Sequence, residues 1–213
     1  MKVKLITTAT DVNNPGFQQL KRSLDRFGWG YDVIKGQYYG YGSKMVRAYE
    51  YAKKTDCTHL FIVDAYDIVM LGTMEEALSK IKEKDCILFN AEKGCWPYGE
   101  WADRYPVVNS DWKYLNGGAA FVNVEQFIEM FESQPIKETD NDQVNLAEMF
   151  LSKRFNFKLD NNCECFQSIA FESKDDFFYG EDGRLQNLKT GAKPVVIHGN
   201  GRTDMSLIYD LLK

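Results

Sequence analysis

Asp64 and Asp67 follow an apolar run, His59 to Val63 (HLFIV), in the stretch FIVDAYDIVM. Such a run is what a strand buried on both faces of a mostly parallel sheet needs. Ligands of open α/β sheets bind beyond the carboxyl ends of the strands, so this strand would hand both carboxylates to a binding crevice. Two ionised carboxylates so close repel each other unless a cation lies between them. A hard divalent ion, Mn²⁺ or Mg²⁺, suits such oxygen ligands. An isolated D-x-x-D is also what a helix cap beside a solvated turn looks like, so the pair needs company to mean more. The chain has two histidines. His59 precedes an apolar strand and reads as structural. His198 ends the apolar run PVVI and precedes Gly199, Asn200 and Gly201, where an imidazole is well placed to be a ligand. The glycines also let backbone N–H groups approach an anion. The other reading is a turn histidine with a satisfied hydrogen bond.

Three polar or aromatic segments add to this. Trp96, between Cys95 and Pro97, reads as a stacking face for a sugar ring or a base, or as a lid on the core. Leu115 to Gly118 (LNGG) precedes an apolar run and would let the Asn116 amide and backbone donors approach a hydroxylated ligand; otherwise it is an ordinary turn. Asn141, Asp142 and Gln143 stand at the start of a helical pattern, where Asp142 is a candidate general base or simply an N-cap.

The elements that must position these groups alternate. Val3 to Thr7 reads as a strand. Phe17, Leu20, Leu24 and Phe27 follow helical spacing until Gly28. Tyr31 to Ile34 reads as a second strand, and Lys44 to Lys54 as a helix after the glycine-rich loop GQYYGYGSK. The HLFIV strand follows, then a helix over Thr73 to Lys84 with Thr73 as its cap, then a strand over Asp85 to Asn90. This alternation is the α/β signature. Further on, Ala119 to Val124 reads as a strand, Glu125 to Ser133 and Asp142 to Arg154 as helices, and Asp182-Gly183 as a hairpin turn. Val195 to Ile197 is a short strand, and a last helix spans Asp204 to Leu212. No repeat or linker divides the 213 residues, which are read as one domain, 1–213.

A net charge of −5 argues against nucleic acid as the main partner. No apolar run nears the roughly 18 residues of a membrane span. The start, MKVKLITTAT, makes a poor signal peptide, so the expected location is cytoplasmic. The five cysteines are odd in number and scattered, and read as free thiols.

Taken in order, DAYD, the Ala91 to Pro97 segment AEKGCWP, ADRYP (Ala102 to Pro106), LNGG, NDQ and the terminal VVIHGNG resemble the glycosyltransferase domain of the procollagen lysyl hydroxylases. The resemblance runs from TTAT to HGNG. It implies a GT-A-type, Rossmann-like mixed sheet with helices on both faces, and a Mn²⁺-dependent enzyme that takes glucose or galactose from UDP-glucose or UDP-galactose. It implies Asp64, Asp67 and His198 as metal ligands and Tyr66 as the residue stacked on uracil. Thr10 and Lys44 match nucleotide contacts, and Asn200 and Gly201 the loop under the diphosphate. Trp96, Asn116, Asn141 and Asp142 fall where the family lines its donor-sugar and acceptor pocket. The chain departs from the family at TDND, where Asn141 replaces a carboxylate, at LNGG for LNSGG, and at Asp204, which stands for a basic residue; Arg202 is a substitute diphosphate contact. A non-haem iron site needs two histidines and a carboxylate, and with His198 engaged, His59 alone cannot complete one, so no hydroxylase activity is expected. The acceptor, a protein or a glycan, is open. Two other readings compete: a nucleotide-sugar or glycan-binding module of the same fold that lost turnover, and a phosphatase of the haloacid dehalogenase type. The phosphatase normally ends its first strand in D-x-D, whereas this first strand ends in TTAT.

Overall fold

The structure, a computed structural model, describes residues 1–212. In chain order it comprises β1 (Val3–Ala9), α1 (Pro15–Arg26), β2 (Tyr31–Lys35), α2 (Ser43–Ala52), β3 (His59–Val63), β4 (Ile68–Met70) and α3 (Met74–Lys80). There follow β5 (Ile87–Glu92), β6 (Tyr114–Asn123), α4 (Val124–Ser133), α5 (Asp142–Ser152), β7 (Phe157–Leu159) and β8 (Phe166–Ser168). The chain continues through β9 (Phe177–Tyr179), β10 (Leu185–Asn187), β11 (Val196–His198) and α6 (Ser206–Asp210).

The central sheet has the order β2-β1-β3-β6-β5-β7. Strand β1 is parallel to β2 and β3, while β6 runs antiparallel to both β3 and β5. The sheet is mixed, as expected. Its alternating side chains build two cores. Ile6, Leu60, Ile62, Ala120 and Val122 meet Met45 and Ala48 of α2, Phe127 and Met130 of α4 and Leu146 of α5. Leu5, Phe61, Val63 and Phe121 face the other way, against Leu20 and Leu24 of α1 and Ala77 of α3. Burying a leucine such as Leu20 or Leu24 contributes about 2 kcal/mol.

A second sheet, β4-β11-β8, packs on that side. Ile68, Met70, Phe166 and Val196 join the α1 core, while Val69 and Ile197 face a third core with Phe177, Leu185 and Ile208. The β9–β10 hairpin pairs Tyr179 with Leu185, and its turn carries Gly183 at φ 73, in keeping with the Asp182-Gly183 expectation.

Helix ends follow local chemistry. Helix α1 starts two residues earlier than the apolar spacing suggests, because the Asn14 side chain accepts from the Gly16 N–H and Pro15 suits the first turn. Helix α3 is capped by Thr73, whose Oγ1 accepts from the Glu76 N–H at 3.1 Å. It stops at Lys80 instead of Lys84: Ile81 turns extended to enter the core, and the Lys84 ammonium bonds the carbonyls of Leu78 and Ile81. Two of the alternative readings fail more instructively. LNGG is not a turn but lies inside β6, opposite a register shift between Phe89 and Asn90. Asp142 is not the cap of α5, since Asn141 takes that position.

Strands β4, β7 and β8, three residues each, escape the sequence reading because so short a run carries no period. One side chain compensates at β8. Asp160 is buried, and its carboxylate accepts from the backbone N–H groups of Glu164 (3.0 Å), Cys165 (2.8 Å) and Phe166 (2.8 Å). Asp160→Ala strips three donors of their partner and is expected to lower stability by about 3 kcal/mol, read as a shifted midpoint in urea unfolding with an unchanged slope.

Candidate active site

The pairing of the second sheet decides where the chemistry sits. Strand β11 is antiparallel to β4 with His198 opposite Ile68, and the Gly199 N–H donates to the Asp67 carbonyl at 2.8 Å. His198 is thereby locked beside the end of the DAYD segment. Asp64, just past β3, is held by its own N–H, which donates to the Gly118 carbonyl at 2.8 Å. The result is a triad: His198 Nε2 lies 3.4 Å from Asp67 Oδ2 and 3.7 Å from Asp64 Oδ2. One ligand atom from each of the three residues falls within 4.8 Å of the others. Two carboxylates and a buried imidazole meeting at one point are the donor set of a divalent cation such as Mn²⁺ or Mg²⁺. Local charge agrees. Asp64, Asp67 and nearby Asp142 gather around one ammonium, Lys44.

The ring is tightly seated. The Asn90 side-chain amide of β5 lies 3.5 Å from His198 Nδ1, and Nε2 faces the aspartates. Gly118 forms the floor: a Cβ there would fall 2.1 Å from His198 Cε1. This close approach explains the glycine in LNGG. Burial would depress the His198 pKa, but Asp67 and Asp64 outweigh it and hold the imidazole above its ordinary 6.5. Burial likewise pushes Asp67 up, yet His198 and Lys44 bring its carboxyl below the usual range.

Around the triad opens a cavity of about 810 Å³. It gathers the residues the sequence singles out: Thr10, Lys44, Asp64, Tyr66, Asp67, Trp96, Asn116, Asn141, Asp142, His198, Asn200, Gly201 and Arg202 all line it. The Tyr66 hydroxyl accepts from the Thr10 and Asp11 N–H groups at 2.8 and 2.9 Å and lies 2.8 Å from the Thr10 hydroxyl. That joins the β1 loop to the DAYD loop. Helix α1 must start close by, and only a glycine fits, because a Cβ on Gly16 would overlap the Tyr66 carbonyl oxygen at 1.8 Å. Lys44 Nζ donates to Asp64 Oδ1 at 2.6 Å and to the Gly117 carbonyl at 2.7 Å, with Asp142 at 3.7 Å. Asp142 is buried, and burial raises its pKa despite Lys44. Trp96 is 55% exposed at the rim, so it is not a core lid. Asp204, outside the cavity lining, accepts from Ser206 N–H and Oγ at the start of α6.

Some residues of the site escape the sequence reading as individuals, among them Tyr38, Tyr41 and Arg47 of the cavity lining and Glu92 behind it. Glu92, at the end of β5, is buried and accepts amide N–H bonds from Asn116 (3.1 Å), Gln143 (3.3 Å) and Asn200 (2.8 Å). Burial raises its pKa. It ties together LNGG, NDQ and HGNG, three segments far apart in sequence. Its only signal is its place in the AEKGCWP segment.

The fold and this arrangement define a class, the GT-A glycosyltransferase fold. Over its whole length the chain superposes on a glycosyltransferase involved in the glycosylation of the major capsid of PBCV-1, with TM-score 0.59 at 10% identity, covering 99% of that chain. It also matches a galactosyltransferase solved with donor and acceptor sugar analogues, with TM-score 0.51 at 10% identity, covering 98% of this chain and 94% of that one. A family model described as the PLOD GT domain matches residues 1–210, and the chain belongs to that family. Among its relatives are procollagen-lysine,2-oxoglutarate 5-dioxygenase 2 of Mus musculus and multifunctional procollagen lysine hydroxylase and glycosyltransferase LH3 of Homo sapiens. The first is 31% identical over 98% of this chain and 31% of its own length. The second is 29% identical over 75% of this chain and 22% of its own length. The chain thus spans about a third or less of the curated relatives it matches.

Two outcomes follow from the triad. Gly118→Ala pushes the His198 ring off its seat and is expected to weaken divalent-cation binding about 10-fold or more, read by titration calorimetry. The pH dependence of melting should change sign with the cation. Without it, His198, raised by the aspartates, contributes stability that is complete below 6.5 and lost as pH rises through its higher folded value. With a divalent cation bound, the proton competes with the metal, so stability rises over the same window. Melting curves with and without Mn²⁺ across that window test this.

Proposed function

We propose that the protein is a metal-dependent glycosyltransferase that moves a hexose, glucose or galactose, from a UDP-sugar to a hydroxyl of an acceptor. The convergence of Asp64, Asp67 and His198 on the floor of a cavity large enough for a nucleotide-sugar carries this reading. Membership of the PLOD GT family supports it.

The difficult step is departure of UDP as a doubly charged diphosphate. A bound Mn²⁺ or Mg²⁺, held by Asp64, Asp67 and His198, would supply Lewis acidity to that leaving group. The chain's own residues do the rest. Tyr66, its hydroxyl held by the β1 loop, offers a ring to uracil, and Thr10 stands beside the nucleotide. Lys44 and Arg202 add positive charge for the diphosphate, and the turn at Asn200 and Gly201 offers backbone donors. Asn116 and Asn141 present amides to the sugar hydroxyls, and Trp96 closes the rim. Asp142 is the group placed to take the acceptor proton if the reaction inverts: its raised pKa brings it nearer to that of a working base.

Asn141, standing where the family has a carboxylate, favours one second reading, a nucleotide-sugar-binding module without turnover. A single assay separates the two. UDP release from UDP-glucose and UDP-galactose is measured with and without Mn²⁺, for wild type and Asp67→Ala. Metal-stimulated release that falls about 100-fold or more in Asp67→Ala is expected. UDP binding without release from either sugar would leave the module.

A further inference from the structure

A histidine that holds a cation uses both ring nitrogens. One gives its lone pair to the ion, and the other keeps its proton and donates it to a fixed acceptor. In the triad Nε2 faces the carboxylates, 3.4 Å from Asp67 Oδ2 and 3.7 Å from Asp64 Oδ2. A cation there leaves the proton on Nδ1. His198 is 3% exposed, which keeps bulk water from serving as the acceptor. The polar group beside Nδ1 is the Asn90 amide.

Asn90 is 0% exposed, and its Oδ1 has no hydrogen-bond partner among the described residues. Its Nδ2 does the bonding: it donates to Ser168 Oγ at 2.7 Å and lies 3.5 Å from His198 Nδ1. That orientation suits a ring whose Nδ1 is bare and whose proton lies on Nε2. It fails once a cation takes Nε2, because Nδ1–H and the Asn90 NH₂ group are then two donors facing each other. A half-turn of the amide exchanges its nitrogen and its oxygen. Oδ1 then accepts from Nδ1–H and from the Ser168 hydroxyl, which has a proton to give. One amide atom lacks a partner in either orientation, but only the turned amide satisfies a cation-bound ring.

Both partners stand on rigid ground. Asn90 pairs with Asn116 at the register shift of the central sheet, and Ser168 lies opposite His198 in the second sheet. The Ser168 carbonyl accepts in turn from Trp112 Nε1 at 3.3 Å and from Gln167 Nε2 at 2.7 Å. Folding alone does not require an amide at position 90: an apolar side chain of the same shape would leave no buried oxygen without a donor.

We propose that Asn90 is the positioning residue of the metal centre: its side-chain carbonyl accepts from His198 Nδ1–H when a divalent cation occupies Nε2, with the Ser168 hydroxyl holding the amide in that orientation. The proposal rests on the metal-dependent reading of the triad. Asn90 lies outside the cavity lining and acts through the ring alone, fixing the tautomer that ligates and the direction of the Nε2 lone pair.

The test is cation binding without any sugar nucleotide, so donor chemistry plays no part in it. Mn²⁺ is titrated by calorimetry into wild type, Asn90→Leu and Asn90→Asp, and each cation-free protein is melted. Asn90→Leu should melt no lower than wild type yet bind Mn²⁺ about 10-fold or more weakly, the scale of a lost partner to a ligating histidine. A purely structural asparagine would instead lower melting temperature and affinity together. The ring proton is then read by NMR in the Mg²⁺-saturated proteins. In wild type His198 Nδ1–H should resonate downfield, as a hydrogen-bonded proton does, and in Asn90→Leu it should move upfield. Asn90→Asp, the same shape with acceptor atoms only, should keep both the affinity and the downfield proton. Equal Mn²⁺ affinity in wild type and Asn90→Leu overturns the proposal, as does a wild-type Nδ1 proton without the downfield shift, a reading that needs no variant to fold. In either case the metal site itself stands. A wild type that takes up neither cation sinks the metal reading, and the role of Asn90 with it.

Discussion

The pairing of β11 with β4 is the constraint on which the site depends. Asp67 and His198 are far apart in the sequence, and the register that sets His198 against Ile68, with Gly199 bonded to the Asp67 carbonyl, brings them within 3.4 Å. Much of the second half of the fold serves that pairing. Strand β8 flanks β11, Asp160 gathers the backbone leading into β8, and the third core closes over the outer face.

A second constraint is space. Two residues of the triad, Asp64 and Asp67, lie on the one loop between β3 and β4, and a loop needs a firm seat to hold a geometry. Gly118 lets β6 pass directly under the imidazole, and Gly16 lets α1 begin against the Tyr66 carbonyl. The register shift between β5 and β6 brings Asn116 alongside Asn90, so that Glu92 can collect three amides. A network of this kind is rigid when complete, because every buried carboxylate oxygen left without a donor is costly.

What was legible in the sequence was what is local. After His59 the strand, LFIV, is apolar throughout because the sheet covers both of its faces, and DAYD stands where such a strand must end. His198 was legible from a strand followed by glycines. The residues named for the site do gather around one cavity, though most of them were named through family likeness and not through spacing. LNGG left a turn open as an alternative because glycine pairs are common there, whereas the segment lies in β6 and Gly118 clears room for the His198 ring. Glu92 stayed hidden because its surroundings come from three distant segments, none of which announces the others.

The Lys44–Asp64 ion pair has one more consequence. An ammonium already sits on a ligand carboxylate at 2.6 Å, so the site carries its own placeholder cation. A potassium or sodium ion entering there would meet a carboxylate whose charge is already matched, and would gain little. A dication brings enough charge to satisfy both aspartates while Lys44 remains, or to release Lys44 toward an arriving anion. In such a site the lysine would act as a valence filter, favouring ions of charge two over singly charged ones.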